Sequence, residues 1–295
     1  MKKELVLAGL CLLAASCSTE TVEDVMNQQV LAPVTVSVND FSMSQEGFST
    51  TRATTPVANY GGVKVVTLAF YDGEMEVYKS TQLKDDATTY TTFGEFNLSL
   101  PKGSYTMVVL GYVLYDDDEL TLTSPTQAEY TNGCIRETFA ATQAVNVTST
   151  TALNLTATLN RIIACLQVIS TDGRTANVNK VRMTFATGGK RFSPTSGLAT
   201  VNTGSASTVG VSAAAGTTST STGFVFLTTD EQTMDVTIET LDSDGNTIYS
   251  TVVNNVPFKR NRRTKLSGSI YPTAATSSAF SVETSWLDDA DPINF

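Results

Sequence analysis

The residue best placed to do chemistry is Cys17. It follows Leu13-Ala14-Ala15-Ser16, the end of an apolar run from Leu5 to Ala15, with Lys2-Lys3 ahead of the run. A bilayer span takes about 20 apolar residues. This run is shorter and matches the central region of a secretory signal. Small residues leading into a cysteine are what a lipoprotein signal peptidase accepts. The pattern reads as a lipobox, with residues 1–16 removed and Cys17 as the first, multiply acylated residue (palmitate included). Each buried CH₂ contributes about 0.8 kcal/mol, so several chains hold a protein on a membrane without a spanning helix. The other reading is an ordinary signal peptide with an incidental Cys.

The remaining reactive groups are few. The chain has 295 residues, four cysteines and no histidine. Without His there is no Ser-His-Asp triad, Cys-His dyad or imidazole metal ligand, and the commonest general acid-base is missing. Paired carboxylates suffice for glycoside hydrolysis, but no pair of acids stands out. The chain reads as a non-enzyme with no cofactor and no metal. Cys134 and Cys165 would stay in the folded part; an exported protein allows them to pair, and the sequence leaves open whether they do. The net charge is -10, and loss of Lys2, Lys3 and Glu4 makes the mature chain one unit more acidic. Such a chain is a poor binder of nucleic acid.

Four clusters have two readings each. Arg52 lies in Ser49-Thr50-Thr51-Arg52-Ala53-Thr54. It is either a solvated linker residue or an accessible cut for a trypsin-like protease between Arg52 and Ala53. Asp116 to Glu119 and Asp242 to Asn246 could tempt a Ca²⁺ reading but lack EF-hand spacing; a solvated loop and a hairpin turn are the simpler readings. Lys259-Arg260-Asn261-Arg262-Arg263-Thr264-Lys265 puts five positive charges in seven residues. It either docks an anionic surface or forms a charged turn.

Almost everything from Val63 on is strand signal. Strands are expected at Val34–Val38, Val63–Tyr71, Met75–Tyr78, Phe93–Leu100, Tyr105–Tyr112, along Val145–Leu159, and at Ile162–Ile169. Further ones are expected at Val181–Phe185, Leu198–Val201, Phe224–Leu227, Val236–Leu241, Ile248–Val253, Lys265–Ile270 and Phe280–Trp286. Turns are expected at Asp72-Gly73, Gly188-Gly189, Asp244-Gly245 and Asn254-Asn255, and a mobile loop at Gly216–Gly223. No helical stripe exceeds about two turns. The fold class is all-β, with two β-sandwich domains. Residues 17–31 form a lipidated tether, 32–158 the first domain and 159–295 the second.

The chain resembles the fimbrillin-like, type V pilin lipoproteins of anaerobic Gram-negative bacteria. The likeness rests on the lipobox at Cys17, on Leu159-Asn160-Arg161-Ile162-Ile163-Ala164, on Val256 to Gly268 with its Asn261-Arg262-Arg263-Thr264-Lys265-Leu266-Ser267-Gly268 segment, and on the closing Phe280 to Trp286. The resemblance implies two stacked transthyretin-like β-sandwiches after a lipoprotein signal peptide. It also implies an outer-membrane lipid anchor, a place in a cell-surface fimbria (pilus), and like or related pilin subunits as partners. In polymerising members an arginine-specific protease frees the first strand, and a neighbour's strand fills the groove by β-strand addition. Carried over here, the displaced strand is Val34, Val36 and Val38, the cut is Arg52/Ala53, and Phe280, Val282 and Trp286 are the donor face. Phe280–Trp286 is alternatively the last strand of its own sheet. A second functional reading is a monomeric outer-membrane surface lipoprotein that binds a glycan or host protein through an exposed aromatic platform, with Tyr112, Tyr115 and Tyr130 as candidates.

Overall fold

The computed structural model describes residues 30–41, 57–86, 88, 90–271 and 280–286, with backbone alone at 39–41 and 283–286. The described residues are all-β: nineteen strands and one 3₁₀ turn, Val57–Asn59. Among them no helix is long and apolar enough to cross a membrane.

The first body is a seven-stranded sheet folded over on itself. One half is β3 (Met75–Leu83), β2 (Val65–Asp72), β5 (Gly103–Tyr112) and β8 (Thr138–Val147). The other is β9 (Leu153–Arg161), β1 (Ala32–Phe41) and β4 (Glu95–Leu100). The halves join where β8 meets β9 through Phe139↔Arg161 and Ala140↔Asn160. Their inner faces share a core that includes Val34, Val36, Leu68, Phe70, Met107, Val109 and Leu159. The opposite seam is stitched by buried Gln82: its Nε2 donates to Glu95 O and its Oε1 accepts from Gly94 N, each at 2.7 Å.

β2 and β5 are apolar on both faces because both faces are covered. Their alternate residues Val65, Ala69, Tyr71, Val108, Leu110 and Tyr112 point into a second core. That core is roofed by a small sheet of β6 (Glu119–Ser124), β7 (Gln127–Asn132), β12 (Arg191–Ser193) and β13 (Leu198–Ala199). The pairing of β7 with β12, Phe192↔Ala128, joins chain from before and after Leu159 in one sheet.

The third body has two facing sheets. One is β15 (Thr220–Val225), β10 (Ala164–Ser170), β18 (Arg262–Gly268) and β19 (Ser281–Trp286). The other is β14 (Ser205–Gly210), β11 (Lys180–Phe185), β16 (Glu231–Leu241) and β17 (Thr247–Lys259). Leu166, Val168, Val181, Phe185, Val236, Ile238, Phe258 and Leu266 form their core.

Three expectations are corrected. Asn254-Asn255 is not a turn but a bulge inside β17: Asn255 has φ 57, and its N–H donates to Asp235 Oδ1. Pairing with β16 shifts register there, the effect of one extra residue in a strand. Half of the expected loop Gly216–Gly223 is strand, because Thr220 to Gly223 pair with Ile169 to Leu166. Threonines suit a pleated surface, and the entry to the strand is held by Ser219, whose N–H donates to Ser170 Oγ. The alternation along Val145–Leu159 is two strands, the end of β8 and the whole of β9, parted by 148–152.

Candidate functional site

β1 is an interior strand with distant neighbours. It pairs antiparallel with β4, Val34↔Leu98 and Val36↔Phe96, and parallel with β9, Val34↔Leu153 and Val36↔Leu155. The alternation read from the sequence drives every second side chain inward, so Ala32, Val34, Val36 and Val38 are all buried. Burying a Val contributes about 1.5–3 kcal/mol, so the three valines together hold the strand by an amount on the order of 5 kcal/mol. The ladder adds Val38 N–H to Gly94 O at 2.7 Å, and Thr35 Oγ1 donates to Asn97 Oδ1 at 2.9 Å. Neither neighbour adjoins β1 in the chain. Its link onward runs through 42–56, which contain Arg52 and Ala53. Both lie outside the described residues, as do Cys17 and the tether.

Immediately after that segment the chain is clamped. Val57 enters the first core, and Tyr60 Oη donates to Glu137 Oε1 at 3.2 Å. Arg161 then gathers four groups. Its Nε donates to Glu137 Oε1 at 2.7 Å, its Nη2 to Tyr60 Oη at 3.1 Å and its Nη1 to Asn261 Oδ1 at 2.9 Å. Its guanidinium also lies 5.0 Å from the Phe139 ring centroid. Burial, then the Glu137 charge, push the Tyr60 phenol up to about 12. Burial alone would lower the pKa of Arg161, but Glu137 and Tyr60 outweigh it and raise the value. Gly62 is required here, since a Cβ would fall 2.5 Å from the Tyr60 ring and 2.7 Å from Glu137 Oε2. Asn261, at φ 58 in the turn between β17 and β18, donates its N–H to Ile163 O at 2.8 Å. The Leu159–Ala164 and Asn261–Gly268 motifs therefore meet in space.

The other candidates separate clearly. β19 pairs along β18 from Arg262↔Trp286 to Ser267↔Ser281, so in the isolated chain it is the edge strand of its own sheet. Phe280 packs on the third core over Gly268, while Val282 is exposed. The basic run is a charged turn. Lys259 pairs with Glu231 and Arg260 with Asp230, and Arg262 is buried. Asp242 caps the β16–β17 turn by accepting from Asp244 N and Asn246 N. Asp118 is engaged by Arg136, Cys134 N and Tyr115 N. Cys134 and Cys165 are free thiols here; Cys165 is buried and Cys134 lies against Thr208. Tyr112 and Tyr130 are buried and hydrogen bonded to Thr67 and Thr138, so neither is a platform. Both point into the second core. Tyr115 is exposed. Sequence reasoning missed Tyr60 and Glu137 altogether; the sign of Arg161 was a charge interrupting an apolar alternation.

A family model covers nearly the whole chain, residues 27–290. The protein belongs to the Family of unknown function (DUF6562). No curated protein matches it. Its fold is shared with an adhesin candidate from Bacteroides ovatus, at TM-score 0.51 and 12% identity over 88% of this chain and 96% of that one. It is also shared with the fimbrial anchor protein Mfa2 from Porphyromonas gingivalis, at TM-score 0.50 and 11% identity over 86% and 97% of the two chains. At these identities the likeness is one of fold.

Proposed function

We propose that the protein is a structural or accessory subunit of a cell-surface fimbria, non-catalytic, exported as an outer-membrane lipoprotein on Cys17, and assembled by β-strand addition in support of adhesion. The observation that carries this reading is the position of β1. A core strand joined onward only through the Arg52 segment can be detached by one cut, and its loss leaves an apolar slot between two unpaired strand edges. Such a slot attracts another strand through main-chain hydrogen bonds and alternate pockets. Val57 and Tyr60 fit the same scheme, since they hold the chain downstream of the cut while β1 leaves. β19 is the donor candidate, carrying Val282 and Trp286 with Phe280 just ahead of it. It is a sheet-edge strand, and its Val282 is exposed. The fold shared with a fimbrial anchor and an adhesin candidate is in keeping with this role and with the fimbrillin-like resemblance.

The test is the intact mass and N-terminal peptide of the protein recovered from the cell surface. A chain beginning at Ala53 in complexes with like subunits is the expected outcome for a polymerising subunit. A chain beginning at acylated Cys17 and bound to other subunits makes it an anchor. Uncut monomers alone overturn the assembly reading.

A further inference from the structure

The two facing sheets of the third body end side by side at β14 and β15. A groove of about 290 Å³ runs between these edges, lined among others by Tyr115, Arg136, Thr208, Ser212, Thr220 and Thr222. It shares no residue with the β1 slot.

One wall is an aromatic ring held in place. Tyr115 is 45% exposed and is the only exposed aromatic among the residues whose side chains are described. The Arg136 guanidinium lies 4.5 Å from its centroid. Asp118 accepts from the Tyr115 backbone N–H at 3.1 Å and, through both carboxylate oxygens, from Arg136 Nε and Nη2. The loop backbone and the guanidinium that covers one face of the ring are thus held, which lowers the ordering cost of stacking on the other face, and the charge of Arg136 is balanced before any ligand arrives.

The other wall is hydroxyl-rich. The side-chain hydroxyls of Thr208, Ser212, Thr220 and Thr222 have no partner among the described residues. Ser221, which also lines the groove, has a buried Oγ with no partner. Hydroxyls of Thr208, Ser212, Thr220 and Thr222 lining the same groove as the Tyr115 ring suit a ligand with one apolar face and a rim of donors and acceptors.

An added β-strand is the wrong occupant. A strand would need the backbone groups on the outer edge of β14, and at Thr208 both are already engaged. Its N–H donates to Cys134 Sγ at 3.3 Å, and its carbonyl accepts from the same thiol at 3.5 Å. The volume falls just under the usual range of small-molecule sites, about 300–1,000 Å³, so the groove takes no more than one ring-sized unit. No carboxylate lines it, and its cation is paired, so the ligand is uncharged.

We propose that this groove binds one neutral pyranose unit of a glycan, its C–H face stacked on Tyr115 and its hydroxyls hydrogen bonded to Thr208, Thr220 and Thr222. The probes are the methyl glycosides of glucose, galactose, mannose and N-acetylglucosamine at millimolar concentration. The readout is saturation-transfer NMR on the full-length protein in a detergent without a sugar headgroup. Transfer to the ring protons of at least one glycoside is expected. Tyr115→Ala should lower it at least fivefold, Tyr115→Phe should keep at least half, and Thr220→Val with Thr222→Val should lower it severalfold. Tyr115→Phe and the Thr variants keep the test sharp if Tyr115→Ala loosens the loop. The proposal is overturned if none of the four glycosides receives saturation, or if transfer is the same in Tyr115→Ala as in wild type.

Discussion

Arg161 shows how much one buried charge can organise. Its side chain is 8% exposed and that of its partner Glu137 2%. Removing one member of a buried pair leaves the other uncompensated, which costs about 3–5 kcal/mol. Arg161→Met should therefore lower unfolding free energy by that amount in denaturant titration, and adding Glu137→Leu should recover part of it. A loss under about 1 kcal/mol would show that the pair is not what holds Tyr60 and Asn261 together. Tyr60 predicts a pH dependence. Its phenol ionises near 10 when unfolded and at about 12 when folded. A raised folded value means the stabilisation is complete below pH 10 and drains away as pH climbs towards 12. Two pKa units on one group amount to on the order of 2–3 kcal/mol. Tyr71, also pushed to about 12 by burial and then by Glu76 and Glu74, drains in the same window. Burial takes the Cys165 thiol to about 12, so its contribution begins to fall nearer pH 9. Melting temperature against pH should fall less steeply between pH 10 and 12 in Tyr60→Phe than in wild type. Parallel curves would assign the alkaline loss elsewhere.

At the scale of elements, β1 is the strand on which the functional reading turns. Val36 is fully buried between Phe96 and Leu155. A carboxylate there would be an unpaired buried charge, so Val36→Asp should release β1 while the third body stays intact. Hydrogen exchange reads this directly. Amides of β4 and β9 should lose protection, those of β16 should not, and unchanged β4 and β9 would mean that β1 is not seated as described. The strand itself was legible, because Val34, Val36 and Val38 alternate with polar residues. Its partners were not: β4 and β9 pair with it across long stretches of chain, and register over such distances leaves no local trace. β6, β7, β12 and β14 went unread because they are short or polar and lack the β-branched apolar runs that mark β2 or β5. Asn254-Asn255 misled for the opposite reason, since an asparagine at positive φ serves a bulge as well as a turn. Of the candidate site, the lipobox and the Arg52 segment are local motifs that lie outside the described residues. The Tyr60–Glu137–Arg161–Asn261 cluster was not legible, because four scattered residues have no common spacing.

At the scale of the molecule, the sequence suggested two stacked sandwiches, and the structure adds a core shared by chain from both sides of Leu159. The second core draws Leu110, Tyr112, Leu122 and Tyr130 from before Leu159 and Cys165, Phe192, Phe224 and Phe226 from after it. Phe192 and Phe226 stack with centroids 4.0 Å apart, and Phe226 also meets the Tyr130 ring at 6.3 Å. A shared core of this kind makes the first and third bodies unfold together, because neither can open without exposing apolar surface on the other. Replacing a buried Phe by Ala costs about 3–5 kcal/mol through lost burial and the cavity left behind. In Phe226→Ala that loss falls on the layer that couples the two bodies. Calorimetry should show one transition for the wild-type chain and two for Phe226→Ala, the earlier one belonging to whichever body depends more on the shared layer. A single transition displaced to lower temperature would mean that the Arg161 cluster and the β7–β12 pairing are enough to keep the molecule cooperative. If the chain is the fimbrial subunit proposed above, coupling of this strength would let a load applied at β1 or at β19 be borne by the whole chain rather than by one sandwich.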